Sequence, residues 1–288
     1  MAYDLQHGSV GLRSEVIDSM VKQVAARTYK FKQACAIVPT NAWKNTFFRE
    51  QTTVPAGASG NATSGIPRGA AFPQYTIGWD EISVRITKFG LEENIAWEDI
   101  LSNDINVQAR TIIRLTEGVV KSVDDIIWDG LTESRAPSLV NTFSLVAHWD
   151  EASAAIIDDL MRASQLIAED NYDVSDLMCF VSPKDKRSIM KYLTDKGAQF
   201  PSLATNVAEN GRIGNLAGIT IVESNSVTAS FALVVKPKTC ATWKELVSLR
   251  SVTTEDPLKS VRIRVAEEGV LELTDPSAVC LIVNTQNA

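Results

Sequence analysis

Two histidines, His7 and His148, stand in the 288 residues. A Ser-His-Asp or Cys-His arrangement would have to use His148, because His7 lies in an extended N-terminal stretch. A three-histidine metal site is excluded by the count. The segment "VSPKDK" offers Ser182 with Lys184 and Lys186. A serine at a strand end, ahead of a proline and a helix, reads as a helix cap rather than a nucleophile. The acidic pairs Asp124-Asp125, Asp158-Asp159 and Glu267-Glu268 are adjacent in sequence, so their side chains diverge on a helix or a strand and do not share a proton. "GRIGNLAG", Gly211 to Gly218, invites comparison with phosphate-cradling loops. It lacks the GxGxxG spacing and follows no clear strand, and it reads as a turn leading into "ITIVES". Cys35, Cys179, Cys240 and Cys280 are far apart, form no CxxC pair and read as buried, reduced thiols suited to a reducing compartment. No catalytic, cofactor-binding or metal-ligating residue is assigned, and no cofactor is expected.

Composition sets the frame for these residues. With 45% hydrophobic and 22% charged residues, the chain can bury one sizeable core or two modest ones. No apolar run approaches the roughly 18–20 residues of a spanning helix, and "MAYDLQHGSV" lacks the pattern of a secretory signal. The net charge of −7 argues against a surface built to grip nucleic acid. Residues 1–50 nevertheless carry seven basic against four acidic side chains, a balance of +3 that leaves −10 for the remainder. A mildly basic arm on an acidic body suits a polyanion, although a solvated helix face explains the same count.

The elements that would position these groups follow from periodicity. Residues 13–31 place Val16, Ile17, Met20, Val21, Val24 and Ala25 on one helical stripe. The longest helical segment spans about 105–131, with Ile112, Leu115, Val119, Val123 and Ile126 at three- and four-residue steps and Glu117 and Lys121 as an i,i+4 pair. Such a helix is about 40 Å long and can brace a flat domain. A third helix is expected from His148 to Asn171, and a fourth over "KDKRSIMKYLTDKG" with Gly197 past its end. "LMCFVSP", "GITIVES" and "FALVVKP" read as buried strands, and "NIAWEDILSND" as a short helix or turn. The last fifty residues read as the strands "VSLRSVTT", "VRIRVAEEG", "VLELT" and "AVCLIVN", parted at Asp256-Pro257, Gly269 and Asp275-Pro276. Helices and strands mix without regular β-α-β alternation, which indicates an α+β fold.

One stretch fits no element. "PAGASGNATSGIPRGAAF", from Pro55 to Phe72, has four glycines and, apart from Ile66, no aliphatic side chain larger than alanine. It cannot offset the cost of ordering its own backbone, about 1–2 kcal/mol per residue. It lies between two β-prone runs, "NTFFREQTTV" and "ISVRITKF", the second with alternating Ile82, Val84 and Ile86. The pattern is strand, long excursion, strand, and a partner subunit is the economical means of holding the excursion. Trp43 and Trp79 flank it, where aromatic interface anchors would be useful.

The order of elements resembles the major capsid proteins of tailed bacteriophages, with the fold named after phage Hong Kong 97. The closing segment is most similar: "GRIGNLAGITIVESNSV", then "FALVVKP", then "VRIRVAEEGVLELTDPSAVCLIVN". The resemblance implies an N-terminal arm at 1–48, an extended β-hairpin called the E-loop at 49–89, a peripheral domain at 90–145 and 243–274 with its long spine helix, and an axial domain at 146–242 and 275–288. It implies a structural protein, not an enzyme, whose copies form hexamers and pentamers of an icosahedral or prolate shell around double-stranded DNA. Implied partners are further copies, a portal, a separate scaffolding protein, decoration proteins and the packaged DNA, with no membrane. The place of action would be the virion capsid, assembled in the host cytoplasm. Some relatives weld the shell through an E-loop lysine; no lysine stands between Glu50 and Thr87, so no crosslink of that kind is expected. Because the E-loop is reached within fifty residues of Met1, the scaffold is expected to be a separate protein. Two alternatives remain at this stage: an encapsulin-type nanocompartment of the same fold, and a cytosolic α+β hydrolase or transferase using Ser182 or His148.

Overall fold

The computed structural model describes residues 14–50, 67–69, 78–102, 107–132, 139–196, 213–257 and 259–287. Most of the glycine-rich excursion, the start of the arm and Gly197 lie outside the described residues. In chain order the elements are α1 (Ser14–Thr28), a 3-10 turn (Phe31–Gln33), β1 (Ala36–Pro39), β2 (Lys44–Glu50), β3 (Trp79–Arg85), β4 (Thr87–Ala96), α2 (Trp97–Ser102), α3 (Val107–Leu131) and β5 (Asn141–Ser144). There follow α4 (Ile156–Glu169), β6 (Met178–Val181), α5 (Pro183–Asp195), β7 (Asn215–Leu216), β8 (Ile219–Glu223), β9 (Phe231–Val235), β10 (Ala241–Asp256), β11 (Ser260–Leu273) and β12 (Val279–Val283). The architecture is mixed α+β, as the periodicities indicate.

The strands form a four-stranded sheet in the order β1-β10-β11-β4, a six-stranded sheet in the order β5-β12-β9-β6-β8-β7, and the separate hairpin β2-β3. Helix α3, about 37 Å long at 1.5 Å per residue, lies across β11 and β4, with α1 beside it on β10. The helical stripe dictates this packing: Ile112, Val119 and Val123 are fully or almost fully buried, whereas Ile126, expected on the stripe, is exposed and the neighbouring Ile127 is buried in its place. The expected Glu117–Lys121 pair does not form. Instead Arg114 reaches Glu117 at 2.9 Å, and Lys121 reaches Asp125 at 3.6 Å.

The six-stranded sheet is covered on both faces, which explains why its central strands read as continuous apolar runs. Phe180, Leu233, Val235, Val279 and Leu281 join the core that includes α3, and the Phe31 ring packs on Phe180 with centroids 4.4 Å apart. Cys179, Val181, Ala232, Val234, Cys280 and Ile282 face the other way, under Leu160 and Ile167 of α4 and Ile189 and Leu193 of α5.

Three further sequence expectations change. The run "ISVRITKF" is not one strand: it divides at the buried Ile86, leaving β3 in the hairpin and β4 in the four-stranded sheet. The helix expected from His148 begins only at Ile156, because turns over 146–153 sink Trp149 and Ala154 into the core. Gly269 is not a turn but lies inside β11, which runs unbroken through both expected strands. There the Trp243 ring crosses the backbone, and a Cβ on residue 269 would stand 2.5 Å from the indole and 2.9 Å from the Lys244 carbonyl. Gly269→Ala is therefore expected to cost about 1–3 kcal/mol through overpacking, read as a lowered thermal midpoint. By contrast, the "GRIGNLAG" segment does turn: Ala217 (φ 53°) and Gly218 (φ 80°) join β7 to β8, a two-residue connection that demands positive φ at both positions.

Candidate functional site

The enzyme candidates are all occupied structurally. Ser182 is the N-cap of α5, with Pro183 at the first helical position. Its Oγ accepts from the Asp185 amide at 3.1 Å and donates to Asp185 Oδ2 at 2.8 Å. Lys184 turns to Asp150 at 3.6 Å and Lys186 to Glu223 at 2.7 Å. His148 is half-buried, and its Nδ1 donates to the Asn284 carbonyl at 2.8 Å. Burial raises all four cysteine thiols, keeping them protonated and unreactive. Among the described residues no group of three or more metal-ligating side chains gathers, and no helix is long and apolar enough to cross a membrane.

The strongest charge cluster is one that sequence reasoning missed. Lys32, in the 3-10 turn after α1, reaches Glu267 at 2.6 Å and Glu245 at 2.8 Å. Glu267 is fully buried and also accepts from the Tyr29 hydroxyl. The signal was present: in "VRIRVAEE", Val261, Ile263 and Val265 alternate inward, and Glu267 shares their parity. Glu268, on the opposite parity, faces Lys88 at 3.3 Å, so the adjacent pair diverges as expected. This cluster fastens the N-terminal segment to the sheet. A second fastening comes from Asp124 on α3, whose carboxylate accepts from the Lys30 backbone amide at 2.9 Å.

Burial pushes the Asp124 carboxyl up to about 6, although backbone amides of Lys30, Lys32 and Phe31 pull it the other way. Its folded state therefore holds the proton more tightly than the unfolded chain does. Its contribution favours folding at low pH and declines as pH rises from about 4 to about 6. Asp124→Asn is expected to reduce that slope, measured as urea midpoints across this range.

The feature open to a partner is the hairpin. Seven residue pairs join β2 to β3, from Lys44↔Arg85 to Glu50↔Trp79. Strand alternation gives it two unlike faces. On one face Phe47 is buried, Ile82 and Val84 are half-buried, and Arg49 Nε donates to the Leu273 carbonyl at 3.1 Å, so this face rests on the body. On the other, Phe48 and Trp79 are 60% and 57% exposed. Phe48 opposes Glu81 and Trp79 opposes Glu50, so the two aromatic rings are diagonal neighbours. Of the two tryptophans expected as anchors, Trp79 has this position. Trp43 is equally exposed, at 56%, but sits at the far end of the hairpin. Sequence reasoning missed Phe48, whose outward parity is visible only once the strand register is known.

Comparison with known proteins gives this geometry its context. Residues 79–282 match the phage capsid protein family. The fold is shared with the capsid of the cyanophage P-SCSP1u, at 14% identity and a TM-score of 0.66, covering 88% of each chain. It is also shared with Mycobacterium phage Che8, at 16% identity and a TM-score of 0.58, covering 85% of this chain and 86% of that one. A virus-like particle from Pyrococcus furiosus aligns at 10% identity and a TM-score of 0.64, covering 93% and 98%. No curated protein matches by sequence. With the family match spanning most of the chain and the whole layout repeated in solved capsids, the chain belongs to the phage capsid protein family and is a major shell protein of the Hong Kong 97-type fold.

Proposed function

We propose that copies of this subunit form hexamers and pentamers that close a shell around double-stranded DNA. The observation that carries the reading is the outward aromatic face of the β2-β3 hairpin. Two large apolar side chains on a hairpin already seated by its other face are of use to a neighbouring copy. In this reading residues 49–89 act as the E-loop, lying on the next subunit, and 1–48 as the arm. Residues 90–145 and 243–274 form the peripheral domain, and 146–242 and 275–288 the axial domain. Two sheets, each with its own helical cover, support a division of the body in two, while two strands cross the stated bounds: β2 (Lys44–Glu50) pairs with β3 of the E-loop, and β5 (Asn141–Ser144) pairs with β12 in the axial sheet. A portal, a separate scaffolding protein and decoration proteins complete the particle, which assembles in the host cytoplasm.

The absence of lysine between Glu50 and Thr87 leaves this shell without the E-loop lysine crosslink. Particles should dissociate to a 31.4 kDa band on a denaturing gel. The test of the enclosed cargo is nuclease treatment of purified particles followed by extraction. Nuclease-resistant double-stranded DNA is the expected result; particles holding a protein cargo and no genome would favour the encapsulin-type reading instead.

A further inference from the structure

Strands β5, β6, β8 and β12 are mutually parallel in the six-stranded sheet, through the direct pairs β5-β12 and β6-β8 and the shared antiparallel neighbour β9. Helices α4 and α5 start at the carboxyl ends of these strands. In open α/β layers that end forms the crevice where ligands bind. Here residues 284–287 run into it and bond to three separate segments.

The first segment is the end of β5 and the stretch after it: Asn284 Nδ2 donates to Ser144 Oγ at 2.6 Å, the Trp149 amide donates to the Thr285 carbonyl at 2.8 Å, and the Asn287 amide donates to Asp150 Oδ1 at 3.2 Å. The second is the start of α5, where Thr285 Oγ1 donates to Asp185 Oδ2 at 3.2 Å and Gln286 Nε2 to Ser182 Oγ at 2.7 Å. The third is the turn before β9, where the Thr285 amide donates to the Ser230 carbonyl at 3.1 Å. Thr285 and Asp185 are completely buried, and Ser182 and Gln286 nearly so. Asn284 (φ 66°) and Ser230 (φ 67°) both take left-handed backbone conformations at this junction, a local cost that persists only where the surroundings over-determine it.

We infer that residues 284–287 are an intramolecular clasp, in which the buried Thr285–Asp185 and Gln286–Ser182 bonds fix the conformation of residues 145–155. The stretch 145–155 has no helix or strand of its own, so its order comes from what it touches. The sheet beneath it holds together through the apolar cluster of Cys179, Val234, Ile282 and the helices above them, which does not depend on these polar bonds. Leu145, Trp149 and Ala154 of the stretch belong to the same cluster, so the clasp acts on the polar turns between these anchors and not on the sheet. The inference concerns the folded subunit alone and stands or falls independently of what the shell encloses.

The test is site-resolved hydrogen exchange on the full chain carrying Thr285→Val, Gln286→Leu, or both. The amides of Leu145, Trp149 and Glu151 should exchange about tenfold faster in each single variant, the factor expected from one lost buried hydrogen bond. The amides of Val181 and Val234 should keep their rates. Unchanged exchange at Leu145 and Trp149 would overturn the clasp, and so would equal acceleration throughout the sheet. Should the variants fail to fold, the wild-type chain in mild urea provides the same decision. Residues 145–155 should open as a unit before the six-stranded sheet, and simultaneous opening contradicts the inference.

Discussion

Replacing Lys32 by Met is expected to cost about 3–5 kcal/mol of folding stability, a large share of what a typical domain possesses. The substitution preserves volume but leaves Glu267, which has no solvent exposure, with its charge uncompensated in the core. The Tyr29 hydroxyl donates to that carboxylate, and a hydroxyl cannot neutralise it. Burial and the neighbouring carboxylates also hold the Tyr29 proton firmly in place, well above the usual phenol range. The double variant Lys32→Met with Glu267→Gln removes both charges and should recover much of the loss, because a neutral amide still accepts from Tyr29. Urea denaturation of the wild type and the two variants measures this directly. A single variant costing under about 1 kcal/mol would mean that the cluster is solvated and does not fasten the arm.

The second large effect concerns assembly. Phe48→Ser combined with Trp79→Ser should leave the circular dichroism and melting temperature of the isolated subunit close to wild type, since both side chains are more than half exposed. The same substitutions should abolish shells. Aromatic residues at the centre of an interface contribute at least about 2 kcal/mol each, so the pair weakens one contact by roughly a thousandfold, and every subunit of the shell repeats that loss. The contrast between the two predictions separates fold from function. Lys32 lies inside, and its loss is felt by one chain; Phe48 and Trp79 lie outside, and their loss is felt only by many.

Much of this was legible in the residues, because the periods of helices and strands are local. The stripe through Ile112, Leu115, Val119 and Val123 announced α3, and the helix found, Val107–Leu131, begins within two residues of the expected start. Ser182-Pro183 announced the start of α5. The apolar runs at 178–181 and 231–235 announced buried strands, and 279–283 a strand. What stayed hidden depends on partners distant in the chain. Gly269 looks like a turn until Trp243, reached through the pairing of β10 with β11, is seen to lie across it. The split of "ISVRITKF" follows from Thr87 to Ala96 finding β11 as a partner, whereas Trp79 to Arg85 finds β2. The clasp at Thr285 and Gln286 is a meeting of side chains about one hundred positions apart, and no local pattern encodes it. The resemblance in element order captured the family, and strand register adds to it that Phe48 lies beside Trp79, with Trp43 at the other end of the hairpin.

The central claim is that this chain is made to be completed by its own copies, through a hairpin whose outer face has no use on a solitary subunit. Electron microscopy of the purified wild-type protein beside the Phe48→Ser, Trp79→Ser variant tests it most directly. The account predicts closed particles of uniform size for the wild type and none for the variant. A wild-type protein that stays a single copy under every assembly condition, or a variant that builds particles as readily as the wild type, would contradict it.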